Sequence, residues 1–321
     1  MIVVITGGSG FFGKSILAYF SRNNPGFEKI TVLSRYPEKL EAVFDKNSFP
    51  FKINLVAQDI REPIELQGPV DYIIHAAAES STSLGMSNPF LMRNVVVEGT
   101  KSVLEYARDA KVKRVLFISS GAVYGKQPSD LSHIPEDYGR APNTLNPLNS
   151  YGCAKRQAEN LCALYNYHYG VDFVVARCFA FVGPYLPLDA HFAIGNFIRD
   201  GLNGSPIIVK GDGTPYRSYL YADDLAEWLW TILLKGESSE AYNVGSDEAI
   251  SINELAFKVS ECCDNNPTVV IKKEPLQEGI SERYVPSVEK AETHLDLKAT
   301  TSLIEGISKT LSHHKPSVFA D

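Results

Sequence analysis

What the chain lacks narrows its function first. Its 321 residues carry no basic excess: 31 Lys and Arg against 38 Asp and Glu leave a net charge of −7. A nucleic-acid partner, which a basic stripe would announce, is not expected. No stretch approaches the roughly 20 apolar residues of a membrane helix, so no membrane partner is expected either. Met1 leads straight into IVVITGG, without the basic and apolar regions of a secretory leader. Cysteine is scarce and odd in number, and Cys153, Cys162, Cys178, Cys262 and Cys263 form no C-x-x-C pair. A zinc site or a disulfide framework would look different, so no metal and a cytoplasmic location with reduced thiols are expected. No internal repeat or low-complexity linker interrupts the chain.

What is present is a rhythm. IVVIT (2–6), ITVL (30–33), INLVA (53–57), YIIHAA (72–77) and VLFIS (115–119) are Val/Ile-rich runs about five residues long. Such runs suit strands covered on both faces, as in a parallel sheet. Helical stretches at 11–22, 37–46 and 89–110 separate them, which predicts βαβ units with helices on both faces. A helix over 149–168 and a sixth strand over 171–177 continue the pattern. Beyond that the rhythm changes, with a helix at 190–204 and a helix start at Asp223 and Asp224, where acids suit the dipole. The expected fold is α/β. A doubly wound parallel sheet spans 1–177, and a smaller α/β lobe spans 178–321, with 223–236 packing back on the first part.

TGGSGFFG follows the first strand and opens a helix, with Gly7, Gly10 and Gly13 in G-x-x-G-x-x-G. Glycine allows a tight turn and lets main-chain N–H groups, here of Phe11, Phe12 and Gly13, approach a pyrophosphate. Strand before and helix after make this a dinucleotide site. The second strand ends in Ser34 and Arg35, where a carboxylate would normally meet the ribose 2′-hydroxyl. An arginine pairs with a 2′-phosphate, so NADP(H) is favoured, with NAD(H) possible if Arg35 is merely solvated. Asp59, followed by Ile60, ends the third strand and could accept from the adenine amino group or cap a turn. Ala76, Ala77 and Ala78 are small residues that let a cofactor cross the strand tips.

In SYGCAK, Tyr151 and Lys155 stand at i and i+4, on one helix face. A free phenol has a pKa near about 10, and a nearby ammonium lowers it. Tyr151 is therefore a candidate general acid/base, and Lys155 is also free to hold a nicotinamide ribose. The strand end ISSG adds a candidate hydroxyl at Ser120.

Taken together, G-x-x-G-x-x-G, HAAA, Asn94 within NVVVEGT, SSGAVYG, YGCAK and GDGTPYRSYLYADDLA resemble the extended short-chain dehydrogenase/reductase family. The nearest likeness is to its nucleotide-sugar epimerases, dehydratases and reductases, from residue 2 to about 262. The resemblance implies a Rossmann-type fold and a catalytic triad of Ser120, Tyr151 and Lys155. It also implies Asn94 near the cofactor, a nucleoside diphosphate sugar as substrate, and a homodimer through helices 89–110 and 149–168. Arg217 matches the arginine that meets the diphosphate, unless it pairs with Asp223 or Asp224. Phe192, Asn196 and Tyr219 are further candidates for the sugar-nucleotide pocket.

Two departures from the family pattern matter. Ala180 stands where relatives often carry Asn. Gly121 and Ala122 stand where hexose 4,6-dehydratases carry the acids that expel water. Reduction or epimerisation at C4 is therefore the leading expectation. Dehydration is the alternative, should Glu79, Glu136 or His191 replace those acids. A non-enzymatic dinucleotide sensor or scaffold is the reading from another class.

Overall fold

The computed structural model describes residues 1–77, 88–190, 192–274 and 281–315. The Val/Ile-rich runs become β1 (Ile2–Thr6), β2 (Lys29–Ser34), β3 (Lys52–Ala57), β4 (Tyr72–His75), β5 (Arg114–Ser120) and β6 (Phe173–Cys178). Short strands follow: β7 (Phe181–Val182), β8 (Ile207–Val209), β9 (Tyr216–Arg217) and β10 (Leu220–Tyr221). β11 (Ala241–Val244), β12 (Ile250–Ser251), β13 (Val269–Ile271) and β14 (Arg283–Tyr284) complete the set.

The main sheet has seven strands in the order β11-β6-β5-β4-β1-β2-β3, and every neighbouring pair runs parallel. The chain winds outward from β1 in one direction to β3, then returns to β4 and winds the other way. That reversal opens a crevice beyond the carboxyl ends of β1 and β4, where open α/β sheets take ligands. The seventh strand was not expected, since AYNV is short and follows an exposed turn. It completes the β6 edge, pairing Ala241 with Val175 and Val244 with Cys178.

One sheet face packs on helices Phe11–Arg22 and Ala222–Lys235 through Ile16, Leu17, Phe20, Trp228 and Leu229. The other packs on Pro89–Asp109 and Ser150–Tyr169 through Val96, Val103, Leu104, Ala158 and Cys162. At roughly 1.5–3 kcal/mol for each fully buried aliphatic or aromatic side chain, these two layers dominate the stability that ordering the chain opposes. Residues beyond 178 join the first layer too: β11, helix Ala222–Lys235, and Val288, Ala291 and Leu297. A third core, with Ile194, Phe197, Leu255, Val259 and Ile307, forms the smaller lobe.

The expected helix over 37–46 is shorter, ending at Glu41. The Asp45 side chain accepts from the Asn47 N–H and starts a separate 3-10 turn, which competes with helix continuation.

Candidate functional site

The crevice is walled by the tips of β1, β4 and β5. Gly7 leaves β1 with φ +71°, a left-handed conformation that costs a side-chain-bearing residue strain. A Cβ there would lie 2.7 Å from the Ala77 Cα, so glycine is required on two counts. The turn closes with Gly10 N–H donating to the Gly7 carbonyl at 3.0 Å. No side chain caps the helix Phe11–Arg22 at Gly10, which leaves its first-turn N–H groups to an outside acceptor. Gly13 packs against the Gly8 backbone, and Phe11 and Phe12 contact Phe181.

Ser34 bonds the Ser9 hydroxyl at 2.6 Å, tying the end of β2 to the glycine turn. Arg35 lies over the Tyr36 ring and close enough to Asp59 to help lower its pKa, after the larger effect of Arg61. Lys39 also faces the Tyr36 ring, and its charge helps lower the pKa of half-buried Lys14, after desolvation. Basic side chains thus gather beyond β2 where an acid was absent. Asp59 accepts from the Arg61 N–H at 3.0 Å and from its guanidinium at 2.7 and 3.0 Å. Ile60 is buried against Gly99. Ala76 and Ala77 sit at the β4 tip, Asn94 is exposed on helix Pro89–Asp109, and Ala78 lies outside the described residues.

The histidine in HAAA proved more informative than its alanines. His75 is fully buried, with Nδ1 2.7 Å from Thr6 Oγ1 and Nε2 3.0 Å from Thr100 Oγ1. Thr100 donates its own proton to the Val96 carbonyl, so it accepts from Nε2–H, and Nδ1 accepts from Thr6. Burial, with help from the Lys155 charge, pushes the His75 pKa down to about 3. It is a neutral brace between β1, β4 and a helix.

Ser120, Tyr151 and Lys155 come together beneath the β5 tip. Lys155 Nζ donates to the Ile118 carbonyl at 2.6 Å and lies over the rings of Phe117 and Tyr151, at 4.8 and 5.9 Å. Burial lowers its pKa to about 8. For Tyr151 the expectation needs correcting. Burial dominates and raises its pKa; the neighbours Tyr284 and Cys178 add to the rise, and the Ser120 hydroxyl, rather than Lys155, opposes it. Lys155 gives one hydrogen bond to the Ile118 carbonyl, and burial holds the Tyr151 phenol in its protonated form. Ser119 donates to Glu159 at 2.5 Å, and Glu159 also holds Arg177, so this neighbour is structural.

Gly121 has a steric reason. A Cβ there would lie 2.7 Å from the Tyr284 hydroxyl and 2.8 Å from the Phe179 ring. An acid at 121 would have to displace the Tyr284 hydroxyl or the Phe179 ring. Of the substitutes considered, Glu136 is bound to the Asn243 N–H of β11 at 2.8 Å, while Glu79 and His191 lie outside the described residues. Tyr284 and Arg283 had no motif to mark them. They arrive because β14 pairs with β9, setting Tyr284 opposite Arg217.

Arg217 lies 3.8 Å from Glu282, not beside Asp223 or Asp224. Asp223 pairs with Arg22, and Asp224 accepts from Thr300 and Thr301. Asn196 accepts from Arg199, Phe192 precedes the helix Ala193–Leu202, and Tyr219 is buried in the lobe core. Among the described residues, no group of three or more His, Cys, Asp or Glu side chains could hold a metal ion. No described helix is long and apolar enough to cross a membrane.

A family model described as NAD dependent epimerase/dehydratase matches residues 3–245. UDP-glucuronic acid decarboxylase 1 of Arabidopsis thaliana is 30% identical over 311 residues, covering 97% of this chain and 69% of that protein. The solved UDP-glucose 4-epimerase of Thermus thermophilus, in complex with NAD, is 26% identical, covers 98% of both chains and superposes with a TM-score of 0.78. The dTDP-glucose 4,6-dehydratase of Streptomyces venezuelae, also with NAD bound, is 27% identical over 98% of this chain and 96% of that one, with a TM-score of 0.79.

Proposed function

The chain belongs to the NAD dependent epimerase/dehydratase family, and from that premise we propose that it transfers a hydride at C4 of a nucleoside diphosphate sugar, as a 4-ketoreductase or 4-epimerase. The observation that carries this reading is the convergence of Ser120, Tyr151 and Lys155 beside Gly121, where an acid would have to displace the Tyr284 hydroxyl or the Phe179 ring. A 4,6-dehydratase needs further proton-transfer groups there, whereas hydride transfer at C4 needs only the three.

The residues present fit a nicotinamide dinucleotide. The uncapped helix end at Gly10, the close approach of Gly7 to Ala77 and the crevice beyond β1 and β4 form a cradle for a pyrophosphate. When bound, the cofactor accepts or supplies the hydride. Ser120 holds the sugar O4 by a hydrogen bond, and Tyr151 takes or returns its proton. Lys155 holds the ribose and keeps a positive charge near that proton below its pKa of about 8. Arg217 faces the diphosphate. The preference for NADP(H) rests on Ser34, Arg35, Lys14 and Lys39 at the ribose end. Exposed Phe90 and Tyr167 on the two long helices support a homodimer.

A second reading is favoured by the similarity to the decarboxylase. Oxidising C4 of a uronic acid creates a β-keto acid, which loses carbon dioxide without an acid at 121 or 122. UDP-glucose, UDP-galactose, UDP-glucuronic acid and dTDP-glucose, each incubated with NAD and NADP, separate the outcomes by product analysis. The C4 epimer, or a 4-keto sugar that keeps its 6-hydroxyl and forms with reduced cofactor, supports the first reading, and a pentose product supports the second. A 4-keto-6-deoxy sugar from dTDP-glucose would overturn the steric argument.

A further inference from the structure

Tyr284 is a half-buried titratable group at the site that no motif explains. It lies 164 residues from Ser120 along the chain, yet the two hydroxyl oxygens are 3.5 Å apart. Its ring packs on Phe179 at 4.7 Å between centroids. The segment that carries it is pinned on both sides. Gln127 accepts from the Val285 N–H at 2.9 Å, and the Ile134 N–H donates to the Val285 carbonyl at 2.9 Å. The Ser287 N–H donates to Ile134, and Asn243 Nδ2 donates to the Ser287 carbonyl at 3.0 Å. This phenol is held in place rather than draped over the site.

Hydrogen-bond counting then limits the directions open to the protons. Ser120 Oγ has two lone pairs and one proton. The Ala122 N–H already fills one lone pair at 3.2 Å. Burial raises the Tyr284 pKa to about 12, against lesser opposing effects of Ser120 and Arg217, so it carries its proton throughout the physiological range. If Tyr284 fills the second lone pair, the Ser120 proton has only one direction left, toward Tyr151 and the oxygen of a bound sugar.

We propose that Tyr284 is a positioning residue for Ser120, donating to its hydroxyl from the smaller lobe so that Ser120 presents its proton to the sugar oxygen that Tyr151 also contacts. Gly121 is then glycine because any side chain there would displace this donor. The inference rests on the hydride-transfer reading above. Catalytic hydrogen bonds are often long before the substrate arrives, and the 3.5 Å separation is expected to shorten when a nucleotide sugar binds.

Tyr284→Phe keeps the ring on Phe179 and removes only the hydroxyl. With whichever of the four sugars is turned over, kcat is expected to fall roughly tenfold while KM stays within about twofold, the signature of an interaction made at the transition state. In a Ser120→Ala background the same substitution is expected to change kcat by less than about twofold, because residues acting as one unit are non-additive. An equal loss in both backgrounds, or no loss with Ser120 present, would overturn the proposal. A crystal structure with UDP and NAD bound supplies a readout independent of turnover. The two hydroxyl oxygens are expected at about 2.8 Å, and a separation that widens on binding would overturn the proposal. Failure of the functional reading shows elsewhere, as a Tyr151→Phe enzyme that still turns over normally.

Discussion

The glycine turn after β1 and the tip of β5 lie along the same edge of one sheet, yet they are made of different material. The first is main chain: Gly7, Gly10 and the opening turn of one helix, contiguous in sequence and shaped by the absence of side chains. The second is assembled from side chains on distant segments, with Ser120 on β5, Tyr151 and Lys155 on a helix, Phe179 after β6, Arg217 on β9 and Tyr284 on β14. A main-chain site is written locally. A side-chain site exists only once the fold has closed, and its chemistry depends on neighbours that no local pattern reveals.

Loss of one side chain should therefore cost most at the second site. Tyr151→Phe is expected to lower turnover about 10²–10⁴-fold, the usual worth of a general acid/base, while NAD binding measured by calorimetry is retained. Retained turnover would erase the distinction between the two ends. Gly121→Asp comes next. Its side chain meets the Tyr284 hydroxyl and the Phe179 ring, so activity is expected to fall about a hundredfold, with no 4-keto-6-deoxy product by mass spectrometry. Appearance of that product would show the site to be more plastic than its packing implies.

At the main-chain site the matching change is Gly7→Ala. Strain at φ +71° and the approach to Ala77 are expected to weaken dinucleotide binding at least about tenfold and to lower stability by about 1–3 kcal/mol. Calorimetry and urea unfolding read the two effects separately. Unchanged affinity would mean that the turn does not shape the cofactor site.

Lys155 gives a pH test of the second site. Its pKa is lowered in the folded protein, to about 8, so the buried charge destabilises the fold below that pH. The penalty fades as pH rises from about 8 to the unfolded value near about 10.4, where both states are neutral. Lys155→Met should abolish turnover yet stabilise the protein at pH 7, by up to about 3 kcal/mol before the lost bond to Ile118 is counted. That gain should shrink near pH 10 in urea unfolding. A gain independent of pH would show that packing, not charge, is responsible. The smallest expected effect is Arg35→Ala, which should reduce the ratio of NADPH to NADH affinity several-fold, about 1 kcal/mol for one phosphate contact. An unchanged ratio would remove Arg35 from the ribose end of the site.

This contrast also explains what was legible. The strands of the doubly wound sheet were readable because burial on both faces leaves uninterrupted Val/Ile runs, and the glycine turn because its spacing is the structure. β11 was not, since four residues at an edge carry too little pattern. Ser120, Tyr151 and Lys155 were readable as types and spacings, but the Tyr151 environment was not. Sequence spacing put Lys155 near the phenol, while the fold turned its ammonium to the Ile118 carbonyl. Gly121 was noticed as a missing acid, and its cause, a tyrosine 163 positions downstream in SERYVPS, became visible only when β14 paired with β9.

The central claim is redox chemistry on a nucleotide sugar at the Ser120–Tyr151–Lys155 cluster. The most direct test follows the absorbance of the reduced nicotinamide while the protein and its Tyr151→Phe variant meet the four UDP and dTDP sugars, with bound nucleotide measured in parallel. At least one sugar should change the cofactor's redox state or be converted through it in the unaltered protein, and the variant should bind that sugar without the conversion. Binding of both cofactor and sugar with no redox change and no product in either protein would contradict the account and leave a dinucleotide sensor in its place.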